Sequence, residues 1–353
     1  MDRTERLRWV LEERREEYVD RLKELIACDT RLIGHGIEGG REKNGQLYLE
    51  TLLKNLGAEV VRQPMTEEIV QKGIALHGEG NPGHDYTDRY NLIATFRGTG
   101  QGRSILFDSH VDTLPYGDLR LWETGPFEPV VRDGKLYGLG ASDMKSGLMA
   151  SIMGVKLLKD AGLELPGDVH IWSVVDEHGG GNGTLAAVLA GHTADAAVIC
   201  EPSDEQINIA HMGFIFFKVA VSGRALHSGM KWLGVNAIEK AMLLIETLRE
   251  LEHEWLMRHK HPDLPAPTLN VGVISGGTAG SVVPDYCEFK LCVHYLPGVM
   301  TRESVTEEVT NAIMLRAQGD AWLRENPPEI SIYQAGGGFE MERDHPLVGT
   351  AAR

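Results

Sequence analysis

The stretch Ser104–Asp112, SILFDSHVD, ends an apolar run on a histidine and an aspartate two residues apart. In a strand, residues i and i+2 share a face, so His110 and Asp112 point together from its carboxyl end. An imidazole with a carboxylate beside it suits a metal ligand whose second ring nitrogen is held in one tautomer, or a general base oriented by an acid. Comparable residues follow: Asp143 in GLGASDMKSG, then Asp176, Glu177 and His178 after VHIWSVV, Glu201 after AAVIC, and His227 in GRALHSG. Taken singly, each is equally well a cap, a turn residue or a solvated charge. Their coincidence at strand ends is what points to chemistry.

Oxygen and imidazole donors suit zinc, and also manganese or cobalt, while a set without cysteine argues against a purely structural thiolate site. Asp143, in a loop between Gly140 and Gly147, could bridge two ions about 3.5–4 Å apart. Such a pair would polarise a carbonyl and acidify a water. Glu177 is the carboxylate best placed to take the water's proton and pass it to a leaving nitrogen.

Alternating strands and helices must position these groups. Helical spacing of apolar residues runs from Thr4 to about Ala27, and a second helix from about Asn44 to Leu56 ends at Gly57. Strands are expected at AEVVRQP, Asn91–Phe96, Ser104–Phe107, DVHIWSVVDE and ADAAVICEP, with a helix whose apolar face runs from Met149 to Leu158. This alternation implies an α/β fold with a largely parallel sheet covered on both faces, and sites in such sheets lie outside the strands' carboxyl ends. Past about Ile209 the order becomes strand, helix, strand, strand, helix, strand, which matches a ferredoxin-like α+β unit inserted into the first domain. The expected division is 1–208, an insert over 209–335, and a returning segment from 336.

With 353 residues the chain exceeds the usual size of one core. Hydrophobic content of 42% and charged content of 24% are those of an ordinary globular protein. A net charge of -16 argues against nucleic acid or an anionic membrane as partner. The cysteines, Cys28, Cys200, Cys287 and Cys292, have no metal-finger spacing and fit a reduced, cytoplasmic setting. No apolar run approaches the roughly 18 residues of a membrane span, and the charged N-terminus holds no signal-peptide core. The glycine-rich turns lack a phosphate loop's Lys-Ser/Thr and the order of a dinucleotide site, which excludes nucleotide binding.

The segments SHVDTLP, LYGLGASDMKSGL, VVDEHGGGNGT, ICEPSD, GRALHSG and VVPDYCEFKLCVHYLPG occur in one register. In these motifs the chain resembles the acetylornithine deacetylase, succinyl-diaminopimelate desuccinylase, aminoacylase and carboxypeptidase G family of cocatalytic zinc hydrolases, from about Leu22 onward. The resemblance implies a zinc-exopeptidase-like mixed, mostly parallel sheet, with the insert serving as lid and homodimerisation domain. It implies that His110 and Glu201 bind one metal, Asp143 bridges two, Asp112 orients His110, and Glu177 is the general base. His227 would reach across the dimer to the oxyanion.

Three departures qualify the match. His178 stands where the family has a second glutamate, so the second metal would gain a neutral imidazole ligand. His294 and Ser281 occupy substrate-binding positions where an arginine and commonly an asparagine are expected, and a histidine cannot grip a carboxylate in bidentate fashion. One further histidine ligand is expected beyond Arg353, so the sequence reads as incomplete. The expected activity is hydrolysis of a C–N bond in a small molecule with one or two divalent metals, most simply N-acyl amine deacylation. A dipeptidase-like exopeptidase, an aminohydrolase of an aryl or heterocyclic C–N bond, and a silent metal-binding dimerisation protein are the alternatives.

Overall fold

Asp2 and Glu5 cap one another across the first turn of α1 (Arg3–Ala27), each side chain accepting from the other's amide at 2.8–2.9 Å. This reciprocal cap satisfies orphan amides and starts the helix one residue ahead of Thr4. The computed structural model describes residues 2–352. They divide into two units, Met1–Gln206 and Ile207–Arg353.

In the first unit α2 (Lys43–Asn55) is followed by Gly57 at φ +85° and by β1 (Glu59–Pro64). The sequence reading leaves out α3 (Glu67–His77), which Thr66 caps at its start and Gly78, at φ +69°, at its end. Then come β2 (Tyr90–Phe96), β3 (Ile105–His110), α4 (Ser146–Asp160), β4 (Val169–Val174), α5 (Asn182–Leu189) and β5 (Ala196–Ile199). The sheet order is β1-β2-β4-β3-β5. It is mixed: β2 runs antiparallel to both neighbours, and the parallel part is confined to β4, β3 and β5.

That parallel part is what builds the site. His110 lies opposite Val174, and Asp108 opposite Ile199, so three strands end at one edge and deliver their following residues together. One face of the sheet buries Leu92, Ala94, Phe96 and Ile171 with Leu25, Leu49, Leu53, Leu148 and Ile152 of the helices. The alternate residues Ile93, Leu106, Trp172 and Val174 pack with Ala187 of α5.

The second unit contains β6 (Gly213–Ser222), α6 (Ala237–Arg258), β7 (Thr268–Gly276), β8 (Tyr286–Tyr295), α7 (Arg302–Gln318) and β9 (Glu329–Gly336). Its antiparallel sheet has the order β7-β8-β6-β9, the ferredoxin-like arrangement expected from the element order. Trp255, Leu244 and Leu248 of α6 and Val305, Val309 and Ile313 of α7 are buried with Ile215, Phe217, Phe289 and Leu291 of the sheet. Beyond β9, Phe339–Glu340 pairs with Ala210–His211, and a short helix α8 (Pro346–Ala351) follows, so segment 336–353 groups with this unit. The four cysteines are unpaired. Among the described residues, no helix is long and apolar enough to cross a membrane.

Candidate metal centre

At the sheet edge, two imidazoles meet one carboxylate. His110 Nε2 lies 2.9 Å from Asp143 Oδ1, and His178 Nε2 lies 3.4 Å from Asp143 Oδ2. The two rings stand edge to face with centroids 4.8 Å apart. Glu201 Oε1 and Glu177 Oε2 complete the cluster, 3.6 and 3.9 Å from His110 Nε2.

Two glycines allow this approach. A Cβ on Gly147, in the first turn of α4, would sit 2.1 Å from the carbonyl oxygen of Cys200, so only glycine lets the Asp143 loop reach Glu201. Gly140 sits at φ +73°, and its Cβ would lie 2.6 Å from Thr113 Cγ2. Met144 follows Asp143 across a cis peptide, and its buried sulfur accepts from the His110 amide at 3.2 Å. Sequence reasoning missed this contact, for which the sequence carries no signal.

The ring orientations differ from the expected arrangement. His110 Nδ1 is held by the backbone carbonyl of Asp112 at 2.9 Å, while the Asp112 carboxylate stands 3.8 Å away. That carboxylate instead accepts from the Glu177 amide at 3.2 Å and from the His178 amide and Nδ1 at 3.1 Å. The reason is tertiary: Asp112 lies past the end of β3, where the loop after β4 presents three donors. One residue thus anchors both rings by Nδ1 and leaves both Nε2 atoms facing Asp143.

Electrostatics follow from this crowding. Burial pulls the His110 imidazole down, but the Asp143 hydrogen bond and the charges of Asp112, Glu177 and Glu201 outweigh it and hold the group at about 9. His178 is lifted against burial to about 10 by hydrogen bonds to Asp112 and Asp143. Hydrogen bonds from His110 and then His178 hold Asp143 well below the usual carboxylate range. Burial raises Glu177, and it raises Glu201 to about 7.

The donor set fits divalent metal. His110, Asp143 and Glu201 offer ligand atoms within 4.8 Å of one another, as do His110, Glu177 and His178. Their nitrogen and oxygen atoms suit zinc, manganese or cobalt. Asp143, Glu177 and Glu201 keep 41–52% of their side-chain surface exposed, whereas His110 keeps 1%, so the cluster opens toward solvent on its acidic side. A third group, His261, Asp263 and Glu340, meets the same distance test, but its donor atoms are already engaged. His261 Nδ1 accepts from the Asp263 and Leu264 amides, so Nε2 carries the proton and donates to Glu340, while Asp263 is paired with Arg343.

Asp176 does not join the cluster; its carboxylate is buried among Arg89, His84, Tyr86 and Asn182. In the second unit His227 is exposed and accepts from the Gly229 amide at Nδ1, 3.1 Å away. Ser281 lies beside it: its carbonyl accepts from the Ser228 amide at 2.8 Å, and His227 pairs with Val282. His294 is placed apart from both, on β8, where it lines a cavity of about 620 Å³ with Asn208, His211 and Leu264. Burial, then the neighbouring His211, pulls its imidazole down.

Residues 106–353 match the family model for peptidase family M20/M25/M40. The N-formyl-4-amino-5-aminomethyl-2-methylpyrimidine deformylase of Halalkalibacterium halodurans is 30% identical over 344 residues, covering 93% of this chain and 75% of that protein. The acetylornithine deacetylase of Proteus mirabilis is 32% identical over 268 residues, covering 74% of this chain and 66% of that protein. A Staphylococcus aureus tripeptidase structure, 19% identical, superposes with a TM-score of 0.69 over 95% of this chain and 80% of its own, which speaks for the fold. On the family model and these relatives, the chain belongs to peptidase family M20/M25/M40, metal-dependent hydrolases of amide bonds.

Proposed function

We propose that the chain removes an acyl group from a small amine, with His110, Asp143 and Glu201 holding one divalent ion, Asp143 and His178 a second, and Glu177 acting as general base. The observation that carries this reading is Asp143, whose two oxygens face two Nε2 atoms, one from the end of β3 and one from the loop after β4. A divalent ion bound there supplies Lewis acidity, polarising the amide carbonyl and acidifying water. Zinc suits the donors best, with manganese and cobalt as the alternatives.

Glu177 takes the proton of the attacking water and returns it to the nitrogen as the C–N bond breaks. Burial favours its proton-accepting role by raising the carboxyl above its ordinary value. Asp112 keeps both rings turned with Nε2 toward Asp143. His227, whose Nδ1 accepts a backbone N–H, presents Nε2–H as a donor suited to an oxyanion, in a homodimer built through the ferredoxin-like unit. Four unpaired thiols agree with a reducing, cytoplasmic setting.

His294 and Ser281 are assigned to substrate binding. A His294 lowered by burial is neutral at pH 7 and has no charge to offer a carboxylate. This favours an amine portion without a free carboxylate, in keeping with the N-formyl aminomethylpyrimidine named for the Halalkalibacterium relative. Glu177→Gln is expected to lower kcat by about 10²–10⁴-fold while sparing metal content. Turnover that survives this change would remove Glu177 from the base's role. A panel of N-formyl and N-acetyl amines, with and without a carboxylate, tests the substrate class.

A further inference from the structure

The segment that carries Glu177 and His178 is gripped from its far side by a buried ion network. Arg89, 2% exposed, donates from Nε and Nη2 to Glu42 Oε1 at 3.0 and 2.6 Å, and from Nη2 to Asp176 Oδ1 at 2.7 Å. The other oxygen of Asp176 receives His84 Nδ1 at 2.8 Å, Asn182 Nδ2 at 2.9 Å and the Tyr86 hydroxyl at 3.0 Å. A fully buried carboxylate thus has four partners, none of them in the metal cluster.

The backbone is shaped to this grip. Asp176 sits at φ +64°, a left-handed conformation that non-glycine residues adopt at a cost. A Cβ on Gly36 or Gly179 would lie 2.4 or 2.3 Å from Asp176 Oδ1, so two glycines leave room for the carboxylate. The left-handed turn sends the Asp176 side chain one way while the next two amides reach Asp112 on the other. Held on both sides, the backbone of Glu177 and His178 is fixed beneath the cluster.

We infer that Arg89, through Asp176, is a positioning residue that sets where the Glu177 carboxylate and His178 Nε2 stand. The inference rests on the roles proposed for Glu177 and His178. Loss of the grip loosens both together, so it lowers ion affinity at His178 and alters proton transfer at Glu177 without touching either side chain. Outer partners of this kind typically change metal affinity or activity by about 10–100-fold.

The test compares Arg89→Lys, which keeps the charge but loses the fork, with Asp176→Asn and the milder Tyr86→Phe. Two readouts are used on each folded variant: competition for zinc with a chromophoric chelator, and the acid limb of kcat/KM against pH. The expected result is zinc affinity about tenfold weaker in Arg89→Lys and Asp176→Asn, less in Tyr86→Phe, with a displaced acid limb. A merely structural role would reduce the folded fraction and scale the profile without moving the limb or the affinity of the folded chain. Unchanged affinity and an unmoved limb in folded Arg89→Lys or Tyr86→Phe overturn the inference even if Asp176→Asn does not fold. Glu177→Gln measured in parallel separates the two readings: if it stays active, the base assignment fails, and the chelator arm still decides the role of Arg89.

Discussion

Metal uptake at neutral pH should expel protons, because His110 and His178 titrate at about 9 and about 10 in the metal-free chain. Ions that coordinate Nε2 need neutral rings, so loading both positions at pH 7 displaces two imidazole protons and part of one from Glu201, which titrates at about 7. The combined two-ion affinity should therefore rise about a hundredfold per pH unit between pH 7 and about 9, each proton contributing about 1.4 kcal/mol per unit. Below about pH 6 Glu201 adds a third proton and the slope steepens. Calorimetric titration of the metal-free chain in two buffers of unlike ionisation enthalpy counts the protons directly. Release of fewer than one proton at pH 7, or an affinity flat between pH 7 and 9, would refute the reasoning.

Stability of the metal-free chain follows from the same groups. Both imidazoles lie above their unfolded value, so their contribution is complete below about pH 6.5 and is lost as pH rises through 9 to 10. Asp143, held low, contributes above the ordinary carboxylate range and loses this only as pH falls through its depressed value; urea midpoints against pH should show a decline on the alkaline side. Asp112→Asn leaves one N–H of the loop after β4 without an acceptor and should weaken zinc binding about 10–100-fold in the chelator competition; unchanged binding would remove Asp112 as the anchor of both rings. Gly147→Ala places a Cβ against the Cys200 carbonyl and should cost about 1–3 kcal/mol in urea unfolding; a loss under about 0.5 kcal/mol would show that the approach of α4 to β5 is not tight. His294→Arg should shift the ratio of kcat/KM toward carboxylate-bearing amides by about tenfold, or about 1.4 kcal/mol, and an unmoved ratio would dissociate His294 from substrate choice.

Much of the centre was legible because each ligand type sits just past an apolar run or inside a glycine-bounded loop. His110, Asp143, Glu177, His178 and Glu201 could be collected by that pattern, and the parallel register of β4, β3 and β5 then explains why they converge. The second role of Asp112 was not legible, since its acceptor geometry depends on where residues 176–178 arrive, 65 and 66 positions later in the chain. Nor was Arg89: it reads as a polar residue ahead of β2, and its partners lie 47 and 87 positions away. Helix α3 is a different case, because Thr66, the acids Glu67 and Glu68, and Gly78 are cap signals that a closer reading of MTEEIVQKGIALHG could have joined. Asp112 holds the His110 ring through its backbone carbonyl, with its carboxylate 3.8 Å off, because i and i+2 share a face only while the strand continues, and β3 stops at His110.

The central claim is that side chains from separate loops jointly hold ions around Asp143. Anomalous diffraction at the zinc edge from crystals of the zinc-loaded chain measures this most directly. The expected result is density flanking the Asp143 carboxylate, one peak on the His110 and Glu201 side and a second toward His178. Zinc density confined to His261, Asp263 and Glu340, or none beside Asp143 at saturating zinc, would contradict it.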